Sequence, residues 1–457
     1  MSSKIYIRFI SVYFFLAFFS SAIYAERIEE EIRVHLPTTS QLQPIYLGKI
    51  FSQDAVFDVH YLNQLEAILC YDLDYNGSTK VCQRTSDKEQ LLRNKDLTAA
   101  FQIQNWQSFG IPFIIKCCVN QKQLTLYLFN VSNSCLKTFG PILLSGNLPQ
   151  DRKKIHKLAD TLHKTLFSTE GIASTRILFS QKTPHNESEK WISEIWECDW
   201  DGANARQITS EKTYCITPIL LPRADNSLKE GLFYVSYKTG QPKIYFQASK
   251  ADKAKRISSL RGNQLLPAVS LKRDKIAFIS DVSGRVDLFV QAFSPETGKM
   301  EKPVQLYSHP HAVQASPTFS PDGSKIAFAS NKDGGTRIFV IPIPSDKKRP
   351  HAVMITKKNR ENSCPSWSSD GTKLAYSAKT NGIRQIWIYD FEKKEEWQLT
   401  SGPGDKENPF WAPNSNHIVF NSTQDCNSEI YVVNLNQPKA IKISRGLGKK
   451  HYPTWGL

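Results

Sequence analysis

The sequence predicts a multidomain chain, an N-terminal α/β (α+β) domain followed by an all-β six-bladed propeller closed by the C-terminal strand. Three observations carry this expectation. A proline that opens a short strand recurs at Pro218, Pro267, Pro317, Pro365, Pro409 and Pro453, with spacings of 49, 50, 48, 44 and 44 residues, and a near-constant period of this length marks a propeller or a comparable array. Helical periodicity is confined to the part of the chain before residue 171. The chain also ends on a first strand, "YPTWGL", with no unit after it, while the segment after residue 175 begins in mid-unit.

Residues 1–25 read as a signal peptide. Lys4 and Arg8 precede the apolar stretch "FISVYFFLAFFSSAIYA", and the small Ala25 stands where a peptidase could cut. An uncleaved anchor is the other reading of a run barely long enough to span a bilayer. The first domain then covers 26–170. In it "EIRVHL" and "QLTLYLFNV" alternate as strands, and "DRKKIHKLADTLHKTLF" places Ile155, Leu158, Ala159, Leu162 and Leu166 on one helical stripe.

The propeller covers 171–457, with four strands per unit. In one unit these are "PTFS", "SKIAFAS", "TRIFVIP" and "HAVMIT", with Pro321, Asp322 and Gly323 supplying the fixed φ, the local acceptor and the free φ of a tight turn. "RILFSQ", "SEIWECDW" and "ARQITS" are the second, third and fourth strands of a unit whose first strand is the C-terminus. One blade cannot bury both its faces, whereas six around an axis cover one another. Phe319, Trp367, Trp411 and Trp455, each two positions after its proline, are expected in the blade cores.

The formal charge is +15, and +13 remains once Lys4 and Arg8 leave with the peptide. Export argues against nucleic acid as the partner, and clusters such as "KADKAKR" lie in polar connections. The alternative is attraction to anionic lipid, envelope polymer or an acidic protein surface. All nine cysteines survive cleavage, so at least one has no partner within the chain. Cys70 and Cys82 form the preferred candidate pair. Cys117 and Cys118, adjacent on a strand, point to opposite faces. No C-x-x-C pair is present, which argues against zinc.

Catalysis finds little support. There is no G-x-S-x-G turn, and a propeller-based metal-dependent carbohydrate lyase or hydrolase would need converging imidazoles or carboxylates. His309 and His311 are the nearest to a ligand pair, and His156 with Asp160, one turn apart, reads as a local hydrogen-bonded pair at the domain junction. No cofactor or metal is expected.

The blade phrase "FSPDGSKIAFAS", the junction "HKLADTLHKTLFSTEGIASTRILFS", the segment "NWQSFGIPFIIKCCV" and the C-terminal Pro-x-Trp together resemble the TolB family. The likeness is strong over 151–457 and weak over 26–100. It implies a periplasmic, non-enzymatic binding component of the Tol–Pal envelope system, which supports outer-membrane integrity and constriction during cell division. It also implies that a Pal-like peptidoglycan-associated lipoprotein binds over the propeller mouth and that a TolA-like inner-membrane protein takes the mature N-terminal segment. Glu31, Ile32, Arg33 and Val34, within 26–37, resemble that segment, although Pro37 and "TTSQ" depart from the family's continuation, and a plain first strand of the domain is the other reading.

The connections entering each blade converge on one end of the ring and vary in sequence, which fits a binding face. The lipoprotein contacts expected from this placement and the resemblance are Asn263, Gln264, Leu266, His311, Gln314 and Ala315, followed by Glu361, Asn362, Asn408 and Tyr452.

Overall fold

A computed structural model describes residues 31–36, 42–185, 188–223, 230–248, 252–344, 350–437 and 439–456. The expected signal peptide lies outside these residues.

The N-terminal sheet runs, edge to edge, Thr79–Val81, Gln43–Leu47, Phe113–Gln121, Gln123–Asn130 and Cys135–Leu143, with Phe51–Ala55 also paired to Phe113–Gln121. Five helices accompany it among the described residues: α1 (Val59–Tyr75), α2 (Ser86–Leu92), α3 (Leu97–Ala100), α4 (Ile103–Ser108) and α5 (Leu148–Phe167). Helix α1 starts where the Asp58 carboxylate accepts the Tyr61 N–H at 2.8 Å, and α5 where the Asn147 side chain accepts the Gln150 N–H at 3.1 Å. The expected stripe is the buried face of α5, with Ile155, Leu158, Ala159 and Leu162 inside and Leu166 half-buried. His156 and His163 are buried beside them.

Six blades follow. Blade 1 combines Arg176–His185, Ser188–Asp199 and Arg206–Gln207 with the C-terminal strand Lys449–Gly456, which is its innermost member. The ring therefore closes as expected, through pairs such as Thr454 with Leu178 and Trp455 with Ile177. The inner strands of blades 2 to 6 are Cys215–Leu220, Gln264–Val269, Gln314–Phe319, Asn362–Trp367 and Asp405–Trp411. Phe319, Trp411 and Trp455 are buried, and the half-buried Trp367 stacks on Phe391 at 4.7 Å.

One feature of the inner strands was not expected. Each begins at least three residues before its proline, in what the sequence presents as a connecting loop. The residue immediately before the proline (Thr217, Leu266, Ser316, Cys364, Asn408 and Tyr452) has φ between 48° and 54°. At the same place every inner strand shifts register against its neighbour. Such a bulge lets the strand pass a residue that has no N–H to give the ladder. Proline here marks a bulge inside the strand, not its start.

The segment Arg33–Val34 also departs from expectation. It joins no strand of its own domain and instead pairs antiparallel with Thr400–Ser401 of the propeller, with the His35 N–H donating to Leu399 O at 2.7 Å. Ile32 and Val34 are buried among Ile386, Ile388, Leu399 and Trp411, at the seam of blades 5 and 6, while Arg33 is exposed.

Candidate functional site

Each inner strand runs from an entry end, where the chain arrives from the previous blade, to an exit end. The N-terminal domain packs on the exit end of blades 1 and 6. His417 Nε2 bonds Tyr75 O at 2.9 Å, Asn436 Nδ2 donates to Gly77 O at 2.6 Å and Gln437 Nε2 to Asp74 O at 2.8 Å. Burial brings the pKa of His417 down to about 4, which keeps it neutral at this junction. One apolar core runs through the contact, from Leu65 and Leu69 of α1 to Ile177, Val419 and Trp455 of the propeller.

The polar centre of the junction is Asp72. It accepts the Trp200 indole N–H at 2.9 Å and lies 2.7 Å from His156 Nδ1, with both members of that ion pair almost fully buried. Burial alone would lower the pKa of His156, but the Asp72 carboxylate, joined by Asp201, outweighs it and holds the imidazole above its usual range. The expected His156–Asp160 pair is thus not formed. Asp160 accepts instead the Ala173 and Ser174 N–H groups at 2.7 and 2.8 Å. A Cβ on Gly171 would come within 2.2 Å of that carboxylate, which explains a glycine there. His156, Asp199 and Asp201 bring ligand atoms within 4.8 Å of one another, but the Arg152 guanidinium already lies among them, bonded to Asp201 and 3.8 Å from Asp199. The cation of this cluster is an arginine.

Among the described residues the entry turns carry none of the N-terminal helices or sheet, only the segment at Glu31–Ile32, which lies against Gly402 of the blade 6 entry turn. The central channel is a cavity of about 460 Å³ that runs from mid-strand to the exit turns, where Arg223, Leu271, Pro321 and Pro413 line it. The six prolines and the six left-handed residues before them line it, so Leu266, Asn408 and Tyr452 are channel residues. Cys364 donates to Asn408 Oδ1 at 3.2 Å, and Asn408 in turn to Asn421 at 2.8 Å. On the rim His311 is exposed, Ala315 is half-buried, and Glu361 is exposed between Lys379 and Arg384 at 3.4 and 3.6 Å. Asn263 is half-buried and clamped to Asp281 through its backbone and amide N–H groups at 2.6 and 2.7 Å. His309 and His311 do not form a ligand pair: the His311 backbone N–H approaches His309 Nδ1 at 3.4 Å, and neither belongs to the acid–histidine cluster.

Three expected contact residues require correction. Gln264, Gln314 and Asn362 are 0% exposed, so their side chains are closed to a partner in this conformation. They sit three residues before the blade proline, where Cys215, Lys406 and Lys450 stand in the other blades, also at 0%. The entry turn curls over this position, and its buried carbonyls need donors. Gln264 donates to Leu260 O at 3.3 Å, Asn362 to Asn359 O at 2.7 Å, and Gln314 reaches the Ala312 and Val313 carbonyls. Lys406 serves three carbonyls (Gly402, Pro403 and Gly404), and its burial lowers its pKa to about 8. Amide and ammonium side chains look like loop residues in a sequence. Their recurrence at one offset from the proline in five of the six units is the signal that separates them from it.

The cysteines are free thiols among the described residues. Cys70 packs against the main core and Cys82 against a separate one, so the preferred candidate pair is not a disulfide here. Cys117 is buried in the core and Cys118 half-buried on the opposite face of the strand, as expected.

The family model described as the TolB beta propeller domain matches residues 163–457. "Protein TolB homolog" of Protochlamydia amoebophila (strain UWE25) is 47% identical over 84% of this chain and 83% of its own length. The protein of the same description in Chlamydia felis (strain Fe/C-56) is 35% identical over 86% and 85%. Among solved structures, TolB from Acinetobacter baumannii superposes with a TM-score of 0.71, covering 94% of this chain and 100% of that one at 19% identity, a likeness of fold.

Proposed function

The chain belongs to the TolB propeller family, a component of the Tol–Pal system, and from that premise we propose that it is a periplasmic, non-catalytic scaffold. In this reading it binds a Pal-like lipoprotein at the entry end of the ring and supports envelope constriction and outer-membrane integrity. The observation that carries the proposal is the division of the two ends: the N-terminal helices and sheet pack on the exit side of blades 1 and 6, while the varied entry turns of blades 3 to 5 present exposed side chains such as His311 and Glu361. Leu266, Asn408 and Tyr452 on the channel wall, with Asn263, His311, Ala315 and Glu361 on the entry turns, are the contact set that remains once the buried Gln264, Gln314 and Asn362 are removed. Among the described residues no helix is long and apolar enough to cross a membrane.

The expected result is that His311→Glu and Leu266→Asp weaken capture of a peptidoglycan-associated lipoprotein from envelope extract at least ~10-fold, a hot-spot-sized loss. Lys394→Glu, in an exit-end turn, should leave it unchanged. Equal loss in both sets, or in neither, places the face wrongly.

The same reading makes residues 31–36 a detachable segment for a TolA-like partner. Among the described residues two ladder pairs and the His35 N–H tie its backbone to blade 5, and one bridge, Arg33 with Lys439, and the Glu31–Lys439 ion pair tie it to blade 6; short segments of this kind open locally at low cost. Amide exchange at Ile32 to His35 is therefore expected to outpace that of Ile386 to Ile388 by about a hundredfold or more. Equal protection would make the segment a fixed strand.

A further inference from the structure

The closing strand brings two lysines face to face. Lys449 lies directly opposite Lys182 in the ladder, a cross-strand pairing of like charges that costs stability. Among the described residues neither ammonium is in an ion pair. Both rest on one indole instead, Lys182 at 5.1 Å and Lys449 at 5.2 Å from the centre of Trp191, and Lys182 also lies 5.7 Å from the Tyr214 ring. These aromatic side chains are more than a third exposed, and Leu447, two residues before Lys449, is 91% exposed. The nearby acids whose side chains are described are committed elsewhere: Glu211 to Lys238, Ser236 and Tyr234, Glu194 to Thr209 and the Lys212 N–H, and Glu429 to Lys450 and Ser444. His451, next on the same face of the strand, is held below its usual pKa range by burial and then by these two lysines.

We propose that this patch, on the entry end of blades 1 and 2, is a docking site for an acidic polypeptide segment carrying apolar side chains. Its carboxylates would take the two ammonium groups and its apolar groups would cover Trp191, Tyr214 and Leu447. Charge complementarity commits the site to this occupant: a carboxylate relieves the Lys182–Lys449 repulsion, whereas a sugar has to compete with two cations for the ring. The inference does not depend on the lipoprotein reading, whose contact set lies around the channel and on blades 3 to 5.

The test uses the full mature protein and a short synthetic peptide alternating glutamate and leucine, followed by anisotropy of the labelled peptide and by the part of the tryptophan fluorescence change that a Trp191→Phe variant loses, since the chain has nine tryptophans. Binding should weaken as salt rises. It should fall at least ~10-fold in the Lys182→Glu, Lys449→Glu double variant and in Lys449→Gln. Lys332→Glu, on a distant blade, should bind as the parent does. The His311→Glu protein should retain peptide binding, so that failure here and failure of the lipoprotein face are told apart. The proposal is overturned if the lysine variants bind like the parent, if a glutamine-for-glutamate peptide binds equally well, or if an anionic polysaccharide saturates the site and the peptide does not.

Discussion

A chain shortened by residues 453–457 is expected to lose the propeller as a cooperative unit, not merely its last strand. Those residues carry half of the ladder that closes blade 1, including the Thr454–Leu178, Trp455–Ile177 and Gly456–Arg176 pairs, and their loss leaves unpaired strand edges. Trp455 is 5% exposed, and its indole donates at 2.7 Å to Thr175 Oγ1, which itself donates to Ile172 O at 2.5 Å. The strand therefore also ties the interdomain linker to the ring. Trp455→Ala alone should cost about 3–5 kcal/mol, and the deletion more, against a total stability on the order of 5–15 kcal/mol. Thermal melts of the full and shortened chains check this. An unchanged midpoint would show that the ring holds without its closing strand.

Replacement of Asp72 by alanine should have the next largest effect. The carboxylate is fully buried between His156 and Trp200, and removing one partner of a buried ion pair costs roughly 3–5 kcal/mol because the other charge is left uncompensated. The sign of its pH dependence follows from His156. Its folded pKa is raised by Asp72 and Asp201 against the cost of burial. The stabilisation is fully present below the unfolded value of about 6.5 and is lost as pH rises through the higher folded value. The Asp72→Ala penalty should accordingly be larger at mildly acidic pH than at alkaline pH, and the domains should begin to melt separately. Denaturant melts of both proteins at the two pH values decide it. A penalty that grows with pH would falsify the charged-histidine account.

The fold was legible in the sequence because its determinants repeat within single units: a proline at constant period, apolar strands, turn residues at one offset, and two half-units at the ends that only a ring can join. The stripe of α5 was legible for the same reason, since helix period and side-chain type lie in consecutive residues. What the sequence could not determine was which polar side chains face inward. Gln264, Gln314 and Asn362 look like surface residues until the entry turn of the preceding blade folds over them, and His156 looks paired with Asp160 until α1 carries Asp72 against it. The segment Ile32–Val34 reads as a strand, and correctly so. That its partner is Thr400–Ser401, over 360 positions away, is settled by the seam between two blades, a surface that exists only after the ring has closed. Periodicity is a local property and survives in one dimension. Burial and pairing of polar groups depend on neighbours that tertiary packing supplies, and only the folded chain decides them.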